Sequence, residues 1–259
     1  MPRELTLRLT KLVATLGPAC DAPEVLKALF EAGVDVARLN LSHGTREEHV
    51  ARIARVREAA RHLGRPLAIL LDTRGAEIRT GSVPEPGVDL QEGARFDLET
   101  GAVAGSQQRV AISYAELPQD VEVGHRLLLD EGRIALRVEA VEDARVRCRV
   151  ERGGRLRPRR SVHLMNAVPG LDVLDEAARE DLGLAAEQRV DYVAASFVRD
   201  ARDVRRLRGH LAELGAAIPL IAKIERREAV EELAAIVEAA DGTMVARGDL
   251  GVALPVEDV

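Results

Sequence analysis

Short apolar runs alternate with amphipathic stretches along the first 80 residues of the chain. Residues 22–33 carry apolar side chains at helical spacing and end in glycine. Thr45 and Glu48 have the spacing of a capping box, which predicts a second helix that Gly64 closes. The apolar runs predict three strands, at residues 11–17, 34–42 and 67–73. Strands that alternate with helices are typical of α/β proteins with a parallel sheet.

The hydrophobic pattern changes after residue 81. From there to about residue 160 the segments are short, alternate between apolar and polar positions, and are separated by turn residues. Residues 130–132, Asp-Glu-Gly, lie between two alternating runs and predict a hairpin turn. We therefore expect an all-β insert at 82–160.

The α/β pattern returns after the insert. It predicts helices at 175–188, 201–214 and 227–240, and strands at 191–198, 218–225 and 242–249. Six strand units with one all-β excursion predict an incomplete (β/α)₈ TIM-type barrel with an inserted lid domain. We expect the barrel at 1–81 and 161–259 and the lid at 82–160. The first and sixth strands would then be open edges that need cover or a partner.

Composition narrows the classes of partner. Aliphatic residues must build the core, because 46% of residues are hydrophobic but only 2% are aromatic. The net charge is −6 and both signs are mixed along the chain, so neither base stacking nor a basic patch for nucleic acid is expected. Cys20 and Cys148 form no disulfide or zinc pattern. This cysteine usage makes a reducing cytoplasm the expected compartment. No apolar run approaches 18 residues, so no membrane partner is expected.

Polar side chains follow the second and third predicted strands. Arg38, Asn40 and Ser42 are spaced to share one face of a strand, and Asp72 and Thr73 end the next strand. Active sites of barrels lie at the carboxyl ends of the strands. One carboxylate among neutral oxygens suits a weakly charged cation better than a divalent one. The alternative interpretation is a structural hydrogen-bond network.

The fifth and sixth predicted strands bring further charges. Lys223 and Glu225 are two residues apart and face the same side, while Asp249 follows a glycine after the sixth strand. Two carboxylates leave positions open for water and substrate oxygens, as Mg²⁺ prefers. An ion pair between Glu225 and Lys223 is the alternative. Arg79 lies where the chain enters the insert, suited to a phosphate or to a salt bridge with Glu77.

Six motifs are similar, in this order along the chain, to those of the pyruvate kinase family: VATLGPA, VARLNLSHG, LLDTRGAEIRTG, AASFVR, IAKIE and MVARGDLGV. The insert resembles the mobile β-barrel lid of that family. The resemblance implies phosphoryl transfer in glycolysis from phosphoenolpyruvate to ADP, giving pyruvate and ATP. It also implies Mg²⁺ (or Mn²⁺) and K⁺ as cofactors, and a homotetramer.

The resemblance assigns roles to individual residues of this chain. Catalysis would fall to Lys223 and Arg38, which would also bind substrate together with Gly248 and Asp249. The implied metal ligands are Glu225 and Asp249 for Mg²⁺, and Asn40, Ser42, Asp72 and Thr73 for K⁺. The implied nucleotide-binding residues are Asn40, Arg79 and Arg160.

The chain also departs from the family pattern. Arg74 and Ala76 stand where the family has Lys and Pro, and Arg160 and His163 replace a Lys and an Asn. The family continues with two further barrel strands and a C-terminal domain, so we expect a truncated barrel that cannot complete the site alone. Two alternatives stay open: a non-catalytic fragment that binds metal or a phosphorylated ligand, and a metal-dependent lyase of the phosphoenolpyruvate/pyruvate barrel group.

Overall fold

A computed structural model describes residues 9–165 and 167–259 of the chain. In that part of the chain the strands are β1 (Val13–Thr15), β2 (Val36–Asn40), β3 (Ala68–Asp72), β4 (Val88–Leu90), β5 (Arg95–Glu99), β6 (Arg109–Ala111), β7 (Arg126–Leu129), β8 (Ile134–Glu142), β9 (Arg145–Arg152), β10 (Gly154–Leu156), β11 (Val162–Leu164), β12 (Tyr192–Ala195), β13 (Leu220–Ile224) and β14 (Gly242–Val245). The α-helices are α1 (Pro23–Glu31), α2 (Arg46–Leu63), α3 (Leu117–Asp120), α4 (Glu176–Glu187), α5 (Ala201–Glu213), α6 (Arg227–Glu231), α7 (Leu233–Ala239) and α8 (Arg247–Ala253).

The chain divides into two compact units. The barrel unit contains the residues up to Gly75 together with 173–224 and 228–245. The lid unit contains 76–172, 225–227 and 246–259. The domain boundaries expected from the sequence, at residues 81 and 160, stay a prediction.

The barrel unit is built on one parallel sheet. Its six strands lie in the order β1-β2-β3-β12-β13-β14, which is also their order along the chain. Each strand therefore pairs with its neighbour in the barrel sequence, and helices connect the strands as in other βα units. This arrangement confirms the predicted α/β class with an incomplete (β/α)₈ barrel and a separate β lid.

Aliphatic side chains fill the core of the barrel unit, as the composition requires. Leu39 and Leu71 on neighbouring strands are fully buried and belong to one cluster with side chains of the surrounding helices. Phe30 on α1 adds an aromatic ring to this cluster. Burying a leucine side chain such as Leu39 contributes about 1.5–3 kcal/mol to stability. This packing holds the strand ends in register, which the site described below requires.

The start of α2 confirms the predicted capping box. The Thr45 hydroxyl accepts a hydrogen bond from the Glu48 backbone N–H at 3.3 Å, and the Glu48 carboxylate accepts one from the Thr45 N–H at 3.0 Å. The helix ends at Gly64, whose left-handed backbone (φ 61°) costs little without a side chain. Both signals are local in sequence, which is why the pattern alone predicts them.

The lid unit has its own mixed sheet, in the order β11-β7-β8-β9-β5-β6, and a small pair of strands, β10 and β4. The predicted hairpin at 130–132 is confirmed, because Leu129 pairs with Ile134 in antiparallel register. Asp130 and Glu131 in this turn have positive φ angles of 52° and 56°. The unit also contains the short helix α3, which starts at Leu117 with a proline in its first turn.

Two elements differ from the sequence prediction. The strand expected over 242–249 ends at Val245, and α8 begins at Arg247 with Asp249 in its first turn, where the helix dipole favours a carboxylate. The helix expected over 227–240 is interrupted at Glu232, whose φ and ψ of −97° and 14° depart from helical values. Asp249 is therefore presented by a helix rather than by a strand end.

A buried histidine on α2 makes the stability of the barrel unit depend on pH. His49 is 4% exposed, and its Nε2–H donates to the backbone oxygen of His43 at 2.8 Å. Burial lowers the pKa of His49. The neutral ring therefore contributes stability that is present above the ordinary histidine pKa of about 6.5 and is lost as the pH falls toward the lowered value.

We expect the melting temperature to fall between pH 7.5 and pH 5, and His49→Gln to reduce that fall. Calorimetry across this pH range checks the prediction. The control is His62→Gln, at an exposed position on the same helix, which should leave the pH profile as it is. An identical profile for wild type and His49→Gln would show that His49 is not the titrating group.

Candidate functional site

The parallel register gathers the predicted polar residues at the carboxyl ends of adjacent strands. Thr15 on β1 lies opposite Arg38 on β2, and Asn40 lies opposite Asp72 on β3. Asp72 also lies opposite Ala194 on β12, and β13 carries Lys223 near its end. Residues far apart in sequence therefore meet because each occupies the same end of its strand.

Asp72 is the centre of a buried ion network. It is 1% exposed, and its Oδ2 accepts from the Arg38 guanidinium through Nε, at 2.8 Å, and through Nη2. Its Oδ1 lies 3.1 Å from the Lys223 Nζ, and Lys223 itself is 7% exposed. One carboxylate thus holds two cations. Hydrogen bonds between ionised groups are about twice as strong as neutral ones, and burial reduces their screening by solvent.

Ser196 joins the network, although its role was not predicted from the sequence. Its Oγ accepts from Lys223 Nζ at 2.9 Å and lies 2.8 Å from the backbone oxygen of Thr73, to which it donates. Its backbone N–H donates to the Thr73 hydroxyl at 3.1 Å. A signal was available, since Ser196 directly follows the apolar end of β12, as Asp72 follows that of β3.

A tight backbone contact locks the end of β3 against the end of β12. Gly75 has φ 65°, and a β-carbon there would lie 2.7 Å from both Ser196 Cβ and Phe197 Cδ2. Phe197 has φ 55°, which is an outlier for a bulky side chain. Such strained positions cluster at functional sites, so the strain adds weight to this end of the sheet as the site.

Asn40 and Ser42 occupy the turn after β2. The Asn40 Oδ1 accepts from the Ser42 backbone N–H at 3.0 Å, so this side chain caps the turn. Arg38 extends the network in the other direction, with Nη1 donating to the Thr15 hydroxyl at 2.6 Å. The structure therefore brings Arg38, Asp72, Thr73 and Lys223 into one hydrogen-bonded group, and places Asn40 and Ser42 in the adjoining turn.

Arg79 and Arg160 lie on neighbouring backbone segments of the lid unit. The backbones of Arg79 and Ser161 form an isolated antiparallel β-bridge. The Arg160 backbone N–H donates to the Thr80 hydroxyl at 2.9 Å. The Arg79 guanidinium donates to Glu77 at 2.6 Å, which is the salt bridge considered from the sequence. Both arginine side chains are partly exposed.

Glu225 and Asp249 also belong to the lid unit. Glu225 is 2% exposed, Asp249 is half-buried in the first turn of α8, and Gly248 beside it is exposed. Burial raises the pKa of Glu77, and the negative charge of Asp249 adds to that rise. Asp249 therefore lies close enough for its charge to affect the pKa of Glu77.

A parallel β/α sheet with charged side chains gathered at the carboxyl ends of its strands defines a barrel protein of the TIM type. The chain matches the family model described as "Pyruvate kinase, barrel domain" over residues 7–259. It therefore belongs to the pyruvate kinase family.

Two curated relatives illustrate the similarity. The chain is 44% identical over 255 residues to "Pyruvate kinase" of Geobacillus stearothermophilus, an alignment that covers 97% of this chain and 43% of that protein. It is 40% identical over 255 residues to "Pyruvate kinase" of Staphylococcus aureus (strain USA300), covering 98% of this chain and 44% of that protein. The chain thus spans less than half the length of these relatives.

The contact at Gly75 can be tested against a second glycine. Gly64 has nearly the same φ, 61°, but open space around its missing β-carbon. We expect Gly64→Ala to cost about 1–2 kcal/mol, the usual penalty of the left-handed region. Gly75→Ala should cost about 1–3 kcal/mol more than Gly64→Ala, because the new methyl group overlaps Ser196 and Phe197. Urea unfolding measures both, and equal costs would contradict the steric role.

The Asp72 network predicts strong coupling between its members. Asp72→Ala leaves two cations without their carboxylate and should destabilise the protein by about 3–5 kcal/mol. Adding Lys223→Met should recover part of that loss, giving a coupling energy of about 1–3 kcal/mol. The exposed Lys27–Glu31 pair serves as the control cycle, where we expect about 0.2–0.5 kcal/mol. Additive effects of Asp72→Ala and Lys223→Met would contradict the network.

Proposed function

We propose that this chain supports phosphoryl transfer from phosphoenolpyruvate to ADP, giving pyruvate and ATP in glycolysis. The observation that carries the proposal is the pair of cations, Arg38 and Lys223, held on the buried carboxylate of Asp72. Phosphoryl transfer depends on positioning and on positive charge around the transferring group more than on covalent chemistry by the protein. Two oriented cations at the end of a barrel sheet match that requirement.

Each cation has a distinct task in this proposal. Arg38 presents a planar guanidinium, whose fork geometry matches phosphate oxygens. Lys223 presents a compact ammonium that stabilises negative charge on the phosphoryl group and on the enolate oxygen as the bond to phosphorus breaks. Asp72 and Ser196 orient Lys223 before substrate arrives, which lowers the reorganisation needed in the transition state.

Glu225 and Asp249 fit a divalent cation by their donor chemistry. Glu225 is a nearly fully buried carboxylate, and carboxylate oxygens are the ligands that Mg²⁺ prefers. Among the described residues no group of three or more His, Cys, Asp or Glu side chains could hold a metal. Mg²⁺ (or Mn²⁺) held by only two carboxylates would supply charge neutralisation to the substrate oxygens that complete its coordination.

The cluster around Asp72 fits a monovalent cation. Its carboxylate oxygens are shared with two side-chain cations, so a monovalent ion meets less repulsion there than a divalent ion would. Asn40, Ser42 and Thr73 add neutral oxygens, and Asn40 lies opposite Asp72 in the strand register. These residues would hold K⁺, which supplies a weak positive charge beside the phosphoryl-binding Arg38.

The remaining assignments are part of the same proposal. Gly248 and Asp249 would bind the substrate, and Asn40, Arg79 and Arg160 the nucleotide. We further propose that the protein is cytoplasmic and does not bind nucleic acid. We also propose that it forms the homotetramer implied by its family. Within the described residues no helix is long and apolar enough to span a membrane.

The central experiment is an assay of ADP-dependent pyruvate formation with Mg²⁺ and K⁺. We expect Lys223→Arg to lower the rate by about 10²–10³-fold, the usual effect of losing one electrostatic group, while the fold survives. The larger planar guanidinium cannot replace a point charge enclosed by Asp72 and Ser196. Lys27→Arg, at an exposed position of α1, is the matched control and should keep the wild-type rate.

The same assay separates the competing functions. Unchanged turnover in Lys223→Arg would remove this residue from the mechanism. Absence of turnover in the wild-type chain, with Mg²⁺ binding retained in calorimetry, would favour a non-catalytic ligand-binding protein. Pyruvate formation from an aldol substrate without ADP would favour a lyase.

A further inference from the structure

We propose that Arg74 and Asp181 are a positioning pair that fixes the end of β3, and with it the orientation of Asp72 and Thr73. The inference rests on the proposed function, in which Asp72 orients both cations. Arg74 directly follows Asp72 and Thr73, and it stands where the resembled family has lysine. Neither residue contacts the reacting groups in this proposal, since both act through the backbone of the strand end.

Arg74 is tied to α4 through its backbone and its side chain. Its N–H donates to Asp181 Oδ2 at 2.8 Å and its Nε donates to Asp181 Oδ1 at 2.9 Å. Its Nη2 donates to the Glu180 carboxylate at 2.8 Å and to the Ala177 oxygen at 3.1 Å. Hydrogen bonding to Asp181 raises the pKa of Arg74 above its ordinary value. The first residue after the site is thus anchored by four hydrogen bonds to one helix.

Because Asp181 is buried, its carboxylate fixes the main chain at Arg74 as well as the side chain. The side chain is 4% exposed, so its carboxylate needs donors close by. The Arg74 backbone and guanidinium satisfy one oxygen each. Because the backbone N–H is one of the donors, the carboxylate fixes the course of the main chain as well as the position of a side chain.

The opposite side of the same segment is fixed by β12. The Thr73 N–H donates to the Ala194 oxygen at 3.0 Å, and Thr73 Oγ1 accepts from the Ser196 N–H. The segment 73–75 is therefore clamped between α4 and the end of β12. Release of one side should loosen the hydrogen bonds on the other, including those of Ser196, which holds Lys223.

A cavity lies beside the Arg74–Asp181 pair. The cavity, of about 400 Å³, lies between α2 and α4, and Arg74, Asp181, His49, Gly44 and Leu184 are among its lining residues. Among the described residues, Arg74 therefore faces open space on that side. On the side of α4, the position of the segment therefore depends on the hydrogen bonds themselves, whereas packing around Gly75 acts on the side of β12.

Backbone amide exchange tests the clamp without requiring activity. Asp181→Asn should speed exchange of the Arg74, Thr73 and Ser196 amides by at least about tenfold beyond any change in global stability. Arg74→Met gives a second test, because it removes the guanidinium at a partly exposed position and keeps the backbone donor. Arg74→Lys should keep the Ser196 amide protected, since an ammonium can still pair with Asp181.

Asp21→Asn is the matched control. It disrupts another pair with a buried member, in which Asp21, just before α1, accepts from Arg52 of α2 at 2.7 and 2.8 Å. We expect this variant to lower the melting temperature while the Thr73 and Ser196 amides stay protected. The proposal is overturned if Asp181→Asn and Arg74→Met loosen these two amides no more than Asp21→Asn does.

A ligand measurement separates the clamp from the proposed function. In wild type, K⁺ should raise the melting temperature more than tetramethylammonium at equal ionic strength, and Asp181→Asn should reduce this difference. Absence of a K⁺ effect in wild type would count against the proposed cation site. The amide exchange result would still decide for or against the positioning pair.

Discussion

The buried carboxylate of Asp72 constrains where the strands of the barrel unit end. A buried charge is tolerated only when partners compensate it, and Asp72 meets this need with Arg38 from β2 and Lys223 from β13. Satisfying it requires three separate strands to end at the same level. The aliphatic core supplies that register, and the polar ends of the strands depend on it. Stability and the proposed chemistry are thus coupled at one side chain.

The two cations around Asp72 are not interchangeable. Arg38 uses the planar fork of its guanidinium, with Nε and Nη2 on one carboxylate oxygen and Nη1 on Thr15. Lys223 fits a compact ammonium between Asp72 and Ser196. The chain has 37 Lys and Arg residues, and the lysines are Lys11, Lys27 and Lys223. In a sequence that so strongly favours arginine, the geometry gives Lys223 a physical reason to stay lysine.

Ion pairs on the sheet of the lid unit contribute little to stability, because solvent screens them. Its sheet carries cross-strand pairs such as Arg149 with Glu139, and Arg126 and Arg137 with Glu151. These side chains are partly exposed to solvent, so each pair contributes at most about 1 kcal/mol. The Arg74–Asp181 pair differs because its carboxylate is buried and also accepts from the main chain. Its consequence is therefore positional, and it falls on the strand that carries Asp72.

Local physics made much of this protein predictable from sequence. Hydrophobic periodicity determined the six barrel strands, and the Thr45–Glu48 capping box determined the start of α2, because each signal lies within a few residues. Motif order also indicated Arg38, Asp72 and Lys223 as candidates. Only the tertiary structure decided the helical setting of Asp249, the role of Ser196 and the partner of Arg74. Those depend on backbone register and on residues such as Asp181, which is 107 positions from Arg74 along the chain and hydrogen-bonded to it in the fold.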